Sequence, residues 1–534
     1  MFKTFNKLFQ SYSNVESTEN GALSKATTTD EFLDAFFKFV RNIHTNNIFT
    51  YLENMYAVDK VKTIILIFQT RDIDEGKGER RIFRYCLAWL LNKDIDTYFR
   101  IIHFVKDYGR YDDLIYSYYL YLYSFYELKK DTNIDTILNE ETTSIYQKIC
   151  EYYFNILHDD VSKMYDNDGV SLCAKWFVSE NSKLDRRIKF TKYFCKFNNI
   201  SQCYLRKHYL SPLRKHIKII EHCLTDKSIN NFSVSDLGTI PSQAKLKYKK
   251  VLSNVPEWNN YLESLKNNDG SAKINVKTLQ PHQIVSKYIS NTNSSSLLNK
   301  DDLVEEMWKK KLEELREKIK LDKTLVVSDT SGSMYGDDSI NVSIALGLLI
   351  SALSDNKYFK NHLMTFSESP SLVKVPDSYE DGLYETMKFL LNKSSFDWGY
   401  STNLYKVFTT LLEHCAKFTS EELELYMPDT IFIISDMQFN SAIEDSTNFE
   451  AIDKLFKEKG VARPRIIFWN VRANTKDFPI TNSDNNVLLL SGNAPQLMKY
   501  VVDGKVNNPM LILEEIWSDE RYKPIVDELN DLIQ

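Results

Sequence analysis

Thr324-Leu-Val-Val-Ser-Asp329-Thr-Ser331-Gly-Ser333 runs from five extended, apolar-leaning residues into a carboxylate, then two hydroxyls at alternate positions around a glycine. A segment with helical character, Ser339 to Leu353, follows. This order sets Asp329, Ser331 and Ser333 at the carboxyl tip of a buried strand. Three hard oxygen donors on one tight loop suit a small hard cation, above all Mg2+, with Mn2+ or Ca2+ as alternatives. Alone, Asp-x-Ser-x-Ser is equally the signature of a turn and helix cap.

Two further segments supply partners. Asp429-Thr-Ile-Phe-Ile-Ile-Ser-Asp436 is a second near-continuous apolar run ending in Asp, as a central parallel strand buried on both faces requires. Between the two lies Trp398-Gly-Tyr-Ser-Thr402-Asn-Leu, a glycine-bearing loop entering a helical stretch, Asn403 to Cys415. Thr402, or alternatively Ser401, offers another hydroxyl. Ligands of open parallel sheets gather outside the carboxyl ends of the strands where strand order reverses, so Asp329 and Asp436 are expected to meet there.

These positions resemble the metal-ion-dependent adhesion site (MIDAS) of von Willebrand factor A domains, with Asp329, Ser331, Ser333, Thr402 and Asp436 matching in order. The Thr loop departs from that pattern, reading Gly-Tyr-Ser-Thr rather than Gly-Gly-Thr. The resemblance implies a doubly wound, Rossmann-like α/β domain. It also implies Mg2+ held by both serines, with Thr402 and the aspartates bound directly or through water. The open coordination position is then taken by a carboxylate from a protein partner.

Upstream, residues from about 30 to 290 read as helices joined by short polar loops, rich in Tyr and Phe. Asp30 to Val40 carries helical spacing behind a Thr/Asp start signal, and Arg81 to Asn92, Thr97 to Lys106, Asp113 to Lys129 and Glu141 to His158 continue the pattern. The expected fold class is therefore α + α/β: an all-helical, repeat-like domain followed by the doubly wound one. The expected divisions are a flexible segment 1–29, helices 30–290, a linker and docking helix 291–320, and the α/β domain 321–534. In the docking helix, Val304, Trp308, Leu312, Leu315 and Ile319 share one face, and Glu305–Lys309, Glu306–Lys310 and Glu314–Lys318 have ion-pair spacing. The aromatic stripes are read as helix–helix core.

Charge is uneven. Residues 181–250 hold sixteen Lys/Arg against four Asp/Glu, a net +12 in a chain of total −6. Candidate RNA contacts are Arg186, Arg187, Arg206, Lys207, Arg214, Lys215, Lys245, Lys247, Lys249 and Lys250. Tyr193, Phe194, Tyr204, Tyr209 and Tyr248 are interleaved with them. Concentrated positive charge with nearby rings is the footprint of phosphate-backbone binding. A solvated helical face, or a surface meeting an acidic protein, would show the same composition.

Arg71-Asp-Ile-Asp-Glu-Gly76-Lys-Gly78-Glu-Arg-Arg81 lacks the Walker spacing and reads as a glycine turn opening a helix. Tyr108-Gly-Arg-Tyr-Asp-Asp-Leu114 reads as a turn with Asp112 as helix cap. With Ser171 to Phe177, Ser211-Pro-Leu-Arg214, Pro241-Ser-Gln-Ala and Pro281-His-Gln-Ile-Val, these segments resemble an uncharacterised family of plant, fungal and large-DNA-virus proteins. That family is similar in layout to the Ro ribonucleoprotein autoantigen, in which a helical ring closed by a von Willebrand A domain binds small RNA. The resemblance implies a small structured RNA as second partner. No nucleophile–base pair or second metal cluster accompanies Asp329 and Asp436, so no catalysis is expected.

No run reaches the roughly 18 apolar residues of a membrane span, and the start of the chain lacks a signal-peptide pattern. An intracellular, cytoplasmic location is expected, or a virion if the source is viral. Abundant Asn, Lys and Ile with only 15 Gly and 12 Pro point to an AT-rich genome. Seven cysteines without a C-x-x-C pair predict neither a disulfide framework nor a zinc site.

Overall fold

The computed structural model describes residues 14–166, 168–289, 298–366, 369–392, 402–417, 419, 422, 425–441, 446–473, 477–502 and 506–530. Ser401 and the Trp398-Gly-Tyr loop lie outside them. Chain contacts separate two units. One comprises the described residues up to Gln69, Ile73–Glu79 and Ile274–Lys523; the other comprises Thr70–Asp72, Arg80–Lys273 and the residues from Pro524.

The first unit is built on a six-stranded sheet. Its strands are β3 (Thr324–Ser328), β4 (His362–Thr365), β5 (Leu372–Lys374), β6 (Thr430–Ser435), β7 (Arg465–Asn470) and β8 (Val487–Ser491). The order is β5-β4-β3-β6-β7-β8, parallel except for β5, which pairs antiparallel with β4 at the edge. Strands β3 and β6 match the two apolar runs read from the sequence. Residues on β3, β6 and β8 are buried throughout, because parallel strands covered on both faces leave no polar side. Strand order reverses between β3 and β6. Edge strand β5 was not expected; its three residues are half-buried or exposed and too few to show a period.

Helix Ser339–Leu353 covers β3, and all but one of its fifteen residues are buried. Gly347 permits this approach, since a methyl group there would collide with Ser328 Oγ. Helix Asp302–Arg316, capped by Asp301, packs on that helix, and Val304, Trp308 and Leu312 are buried, as its apolar face predicts. Its expected ion pair at Glu305 gives way to other bonds. Glu305 Oε1 accepts from Tyr288 Oη (2.5 Å) and Tyr384 N (3.0 Å). Lys309 instead lies over the Tyr379 ring.

Two expectations about the start of the chain fail. Residues 14–29 are not a flexible segment: β1 (Val15–Ser17) and β2 (Leu23–Lys25) form a hairpin, and Lys25 N donates to Phe478 O at 2.8 Å. Helix Glu31–Lys38 belongs with the sheet rather than with the helices that follow in sequence. It packs on β8 and on helix Pro509–Ser518. Phe32, Leu33, Ala35, Phe36 and Phe37 are nearly or fully inaccessible, and a helix apolar almost all round must be covered on several sides. The boundary between the two units therefore does not follow the division at residues 290–320.

The second unit is all-helical. Helix Arg80–Lys93 packs along Asp112–Phe125, and Glu140–Tyr165 packs on Phe190–Phe197. The aromatic stripes are core, as read: Tyr118 and Tyr146 stack at 4.4 Å between centroids, and Phe177, Phe190 and Phe194 meet at 5.0–6.0 Å. Six of the seven cysteines are buried and none is bonded to another. Among the described residues no helix is long and apolar enough to cross a membrane.

Candidate functional site

Asp329 follows β3 directly and Asp436 follows β6 directly, so the reversal of strand order puts both carboxylates at one crevice. The two strands pair in parallel with Ser328 opposite Ile434. Asp329 N donates to Ile434 O at 2.9 Å, extending the ladder by one bond. The loop then folds back. Ser331 N donates to Asp329 Oδ1 (2.9 Å), and Ser331 Oγ lies 3.1 Å from Ser333 Oγ. After Asp436, Met437 takes a left-handed conformation (φ 67°), which returns Gln438 N to Asp436 Oδ1 at 3.2 Å. Ser333 lies close enough to Asp436 to favour its charged form, which brings the two loops together.

Both carboxylates are strongly desolvated: Asp329 is 1% exposed and Asp436 2%. Burial first, and the neighbouring Asp436 next, push the Asp329 carboxyl up to about 6. Burial likewise raises Asp436, against the bonds from Ser333 and Gln438 and the Arg472 charge. Two carboxylates so placed repel one another and call for a counter-charge. Arg472 supplies positive charge to Asp436; it donates to Ser333 O and pairs with Asp337 at 3.2 Å.

Four of the five expected ligand positions thus meet: Asp329, Ser331, Ser333 and Asp436. Thr402 is buried on the neighbouring loop, with its hydroxyl 2.7 Å from Gln438 O and 2.9 Å from Asn440 Oδ1. It is tied to the chain just past Asp436 rather than to the other four. The hairpin covers the same loop, through Asn20 Nδ2 to Gln438 O (2.8 Å) and Thr18 Oγ1 to Phe439 O (2.8 Å). The sequence reading missed Ser435, whose Oγ donates to Asp329 Oδ2 at 2.5 Å. The only available signal was its place before Asp436 on the strand pairing with β3.

The donors are all hard oxygens, two carboxylates and two hydroxyls, which fits Mg2+ better than a softer metal. Among the described residues no three His, Cys, Asp or Glu side chains cluster to hold a metal ion, so a site here depends on the hydroxyls.

The candidate RNA residues divide sharply in the helical unit. Arg186, Arg206, Lys207, Lys215, Lys247 and Lys250 are exposed. Lys247 lies 3.8 Å from Glu221. Arg187 is half-buried and donates to Lys130 O, and Lys249 is half-buried. Arg214 and Lys245 are structural. Arg214 Nε and Nη2 donate to Ala174 O (2.8 Å) and Phe177 O (3.0 Å). Lys245 is fully inaccessible and donates to Gly238 O (3.2 Å) and Ile240 O (2.8 Å), closing the end of helix Val234–Thr239. Desolvation lowers its ammonium to about 7. Neither side chain presents charge to a polyanion. Of the interleaved rings, Tyr204 is exposed and stacks on His208 at 4.3 Å, while Tyr193, Phe194 and Tyr209 are buried.

The turn motifs of the sequence also meet in this unit. Asp113, fully inaccessible, accepts from Arg71 Nε (2.8 Å), Arg84 Nε (2.5 Å) and Arg110 N (3.1 Å). Asp112 does not cap its helix; it is the first helical residue, and its Oδ2 takes Arg84 Nη2 and Arg110 Nη2, both at 2.8 Å. A Cβ at Gly109 would meet Asp113 Oδ2 at 2.8 Å, so the glycine serves this close approach.

Residues 323–524 match a family model described as Domain of unknown function (DUF7788), and residues 18–105 and 195–321 match Domain of unknown function (DUF2828). The chain is similar to Uncharacterized protein L728 of Acanthamoeba polyphaga mimivirus, 28% identical over 96% of this chain and 89% of that protein. No solved structure matches it. The likeness is thus to an uncharacterised family with a large-DNA-virus member.

Proposed function

We propose that this is a non-enzymatic, metal-dependent binding protein. In this reading the sheet-bearing unit is a von Willebrand factor A-like domain. Asp329, Ser331, Ser333 and Asp436 would hold Mg2+, with Thr402 orienting the loop after Asp436 or entering through water. The metal would supply an open coordination position for a partner's carboxylate. The observation that carries the reading is the pairing of Asp329 and Asp436 at the strand-order reversal, with two serine hydroxyls beside them. The chain's own residues keep Asp329 oriented through Ser435 and Ser331, and keep the loop after Asp436 fixed through Thr402 and Asn20.

Calorimetric titration of the full chain with MgCl2 tests this half. Asp329→Ala and Asp436→Ala should each abolish saturable binding while circular dichroism stays unchanged. Unchanged affinity in both variants would refute the site. A Mg2+-dependent phosphatase or nuclease activity lost in Asp329→Ala would overturn the non-enzyme reading.

The helical unit is proposed to bind RNA. Its support is the cationic surface left after Arg214 and Lys245 are set aside. The alternative is a protein–protein scaffold or virion component. Capture of partners with and without nuclease separates the two, since nuclease should release RNA-bridged material alone.

A further inference from the structure

The strongest unexplained feature of the helical unit lies outside residues 181–250. Two carboxylates, Asp112 and Asp113, bind three guanidiniums in a chain running Arg71–Asp113–Arg84–Asp112–Arg110. Arg80 and Lys175 stand beside this chain, and among the described residues neither makes an ion pair. Desolvation, then the charges of Arg110 and Arg84, presses the Arg80 pKa below its ordinary value. Lys175 is lowered in the same way, by burial against the weak pull of Glu221 and the push of Arg110.

Aromatic rings are set among these cations. Arg110 Cζ lies 3.9 Å from the Trp176 centroid, and Lys175 Nζ lies 5.2 Å from it. Arg84 Cζ lies 3.8 Å from Tyr116. Trp176, Tyr116 and Arg110 are half-buried and Arg80 is exposed, so the cluster reaches solvent. Lys175 is half-buried without an ion pair among the described residues, and a fold that only needed to neutralise Asp112 and Asp113 would not add it beside three guanidiniums, because it costs solvation without a counter-charge. An anion from outside removes that cost. Guanidiniums interleaved with half-exposed rings are also how proteins hold the backbone and bases of a single strand.

We propose that Arg110 and Lys175, which flank Trp176, together with Arg80 beside Arg110, bind a phosphate group of single-stranded RNA. This deepens the RNA reading above and rests on it for the ligand. It places the main contact on helix Arg80–Lys93 and the Cys173–Trp176 turn rather than on the basic block.

The test uses the full chain and a fluorescein-labelled 20-residue oligouridylate, read by anisotropy across a salt series, with inorganic phosphate titrated separately by calorimetry. Arg80→Gln/Lys175→Gln removes two cations that make no ion pair among the described residues; Lys207→Gln/Lys250→Gln is the comparison in the basic block. The first pair should weaken RNA binding at least tenfold and reduce the slope of log affinity on log salt by about one. The second should change affinity less than twofold. If instead the first pair binds like the unaltered protein while the second loses binding, the assignment is overturned and the RNA reading stands. If the unaltered protein binds no RNA but binds phosphate, and the first pair does not, the RNA reading fails and the phosphate site stands. Binding of neither ligand overturns both.

Discussion

Ser435 Oγ donates to Asp329 Oδ2 at 2.5 Å, joining residues 106 apart in sequence across the two strands that flank the strand-order reversal. The bond holds a desolvated carboxylate in one orientation and leaves its other oxygen to the Ser331 N–H. A partner that orients a ligand typically changes metal affinity by 10- to 100-fold when removed. On the proposed Mg2+ site, Ser435→Ala should therefore weaken Mg2+ binding about tenfold in calorimetric titration while the protein remains folded. Affinity equal to the unaltered protein would show that Asp329 needs no such support.

Asp113 is the keystone of the arginine chain. Burial alone would raise its carboxyl, but Arg71 and Arg84 hold it below the usual range. Removing one partner from a buried pair leaves uncompensated charge and costs about 3–5 kcal/mol. Asp113→Asn should lower stability by about that amount in urea unfolding. Asp112→Asn should cost less, since that side chain is 12% exposed and water reaches it. An Asp113→Asn loss below about 1 kcal/mol would contradict this account.

Lys77 is buried in the sheet-bearing unit, where its ammonium donates to Phe36 O, to Phe39 O (3.3 Å) and to Ser491 Oγ (2.9 Å). Desolvation drives it down to about 7, against the pull of Glu79. Between about 7 and the ordinary lysine value, the unfolded chain holds a proton that the folded chain has released. Stability therefore rises with pH through that window and the gain is absent below it. The slope from Lys77 is about 1 kcal/mol per pH unit between pH 7 and 8.5. Urea midpoints across that interval should rise less steeply in Lys77→Met than in the unaltered protein. Parallel slopes would mean that Lys77 stays charged when folded.

Gly347→Ala sets a methyl against Ser328 Oγ where helix Ser339–Leu353 crosses β3. Overpacking of this kind costs about 1–3 kcal/mol. Adding Ser328→Ala removes the obstructing oxygen and should recover part of the loss, since the next neighbour, Ser328 Cβ, is at 3.4 Å. Thermal unfolding of the single and double variants reads the coupling. A double variant as unstable as the sum of the two singles would show that the clash is relieved elsewhere.

The basic block shows why part of the candidate site was not legible. Lys245 and Lys250 are five residues apart in one helix, Ser242–Leu252, and counting charge treats them alike. Lys245 faces the carbonyls at the end of the preceding helix and Lys250 faces water. Arg80 and Lys175, in contrast, carry no excess along the sequence and become a cluster only where helix Arg80–Lys93, the Gly109 turn and the Cys173–Trp176 turn converge. Asp112 changed role for the same reason. A cap is a local bond, but the Arg84 guanidinium from another helix, with that of Arg110 two residues before Asp112, binds charge more strongly than a helix end does.

What the sequence alone determined is the sheet and the place of the two carboxylates. Apolar runs such as Thr430–Ser435 suit only strands covered on both faces, and an Asp directly after such a run must emerge at the carboxyl edge of the sheet. That logic is local and needs no partner. The tertiary structure alone decided that helix Glu31–Lys38 belongs to the sheet, that Ser435 serves Asp329, and that Lys77, Arg214 and Lys245 spend their charge on backbone carbonyls. Each of these depends on desolvation by segments distant in sequence. Whether a polar group faces water or a carbonyl is fixed by what the rest of the chain brings against it.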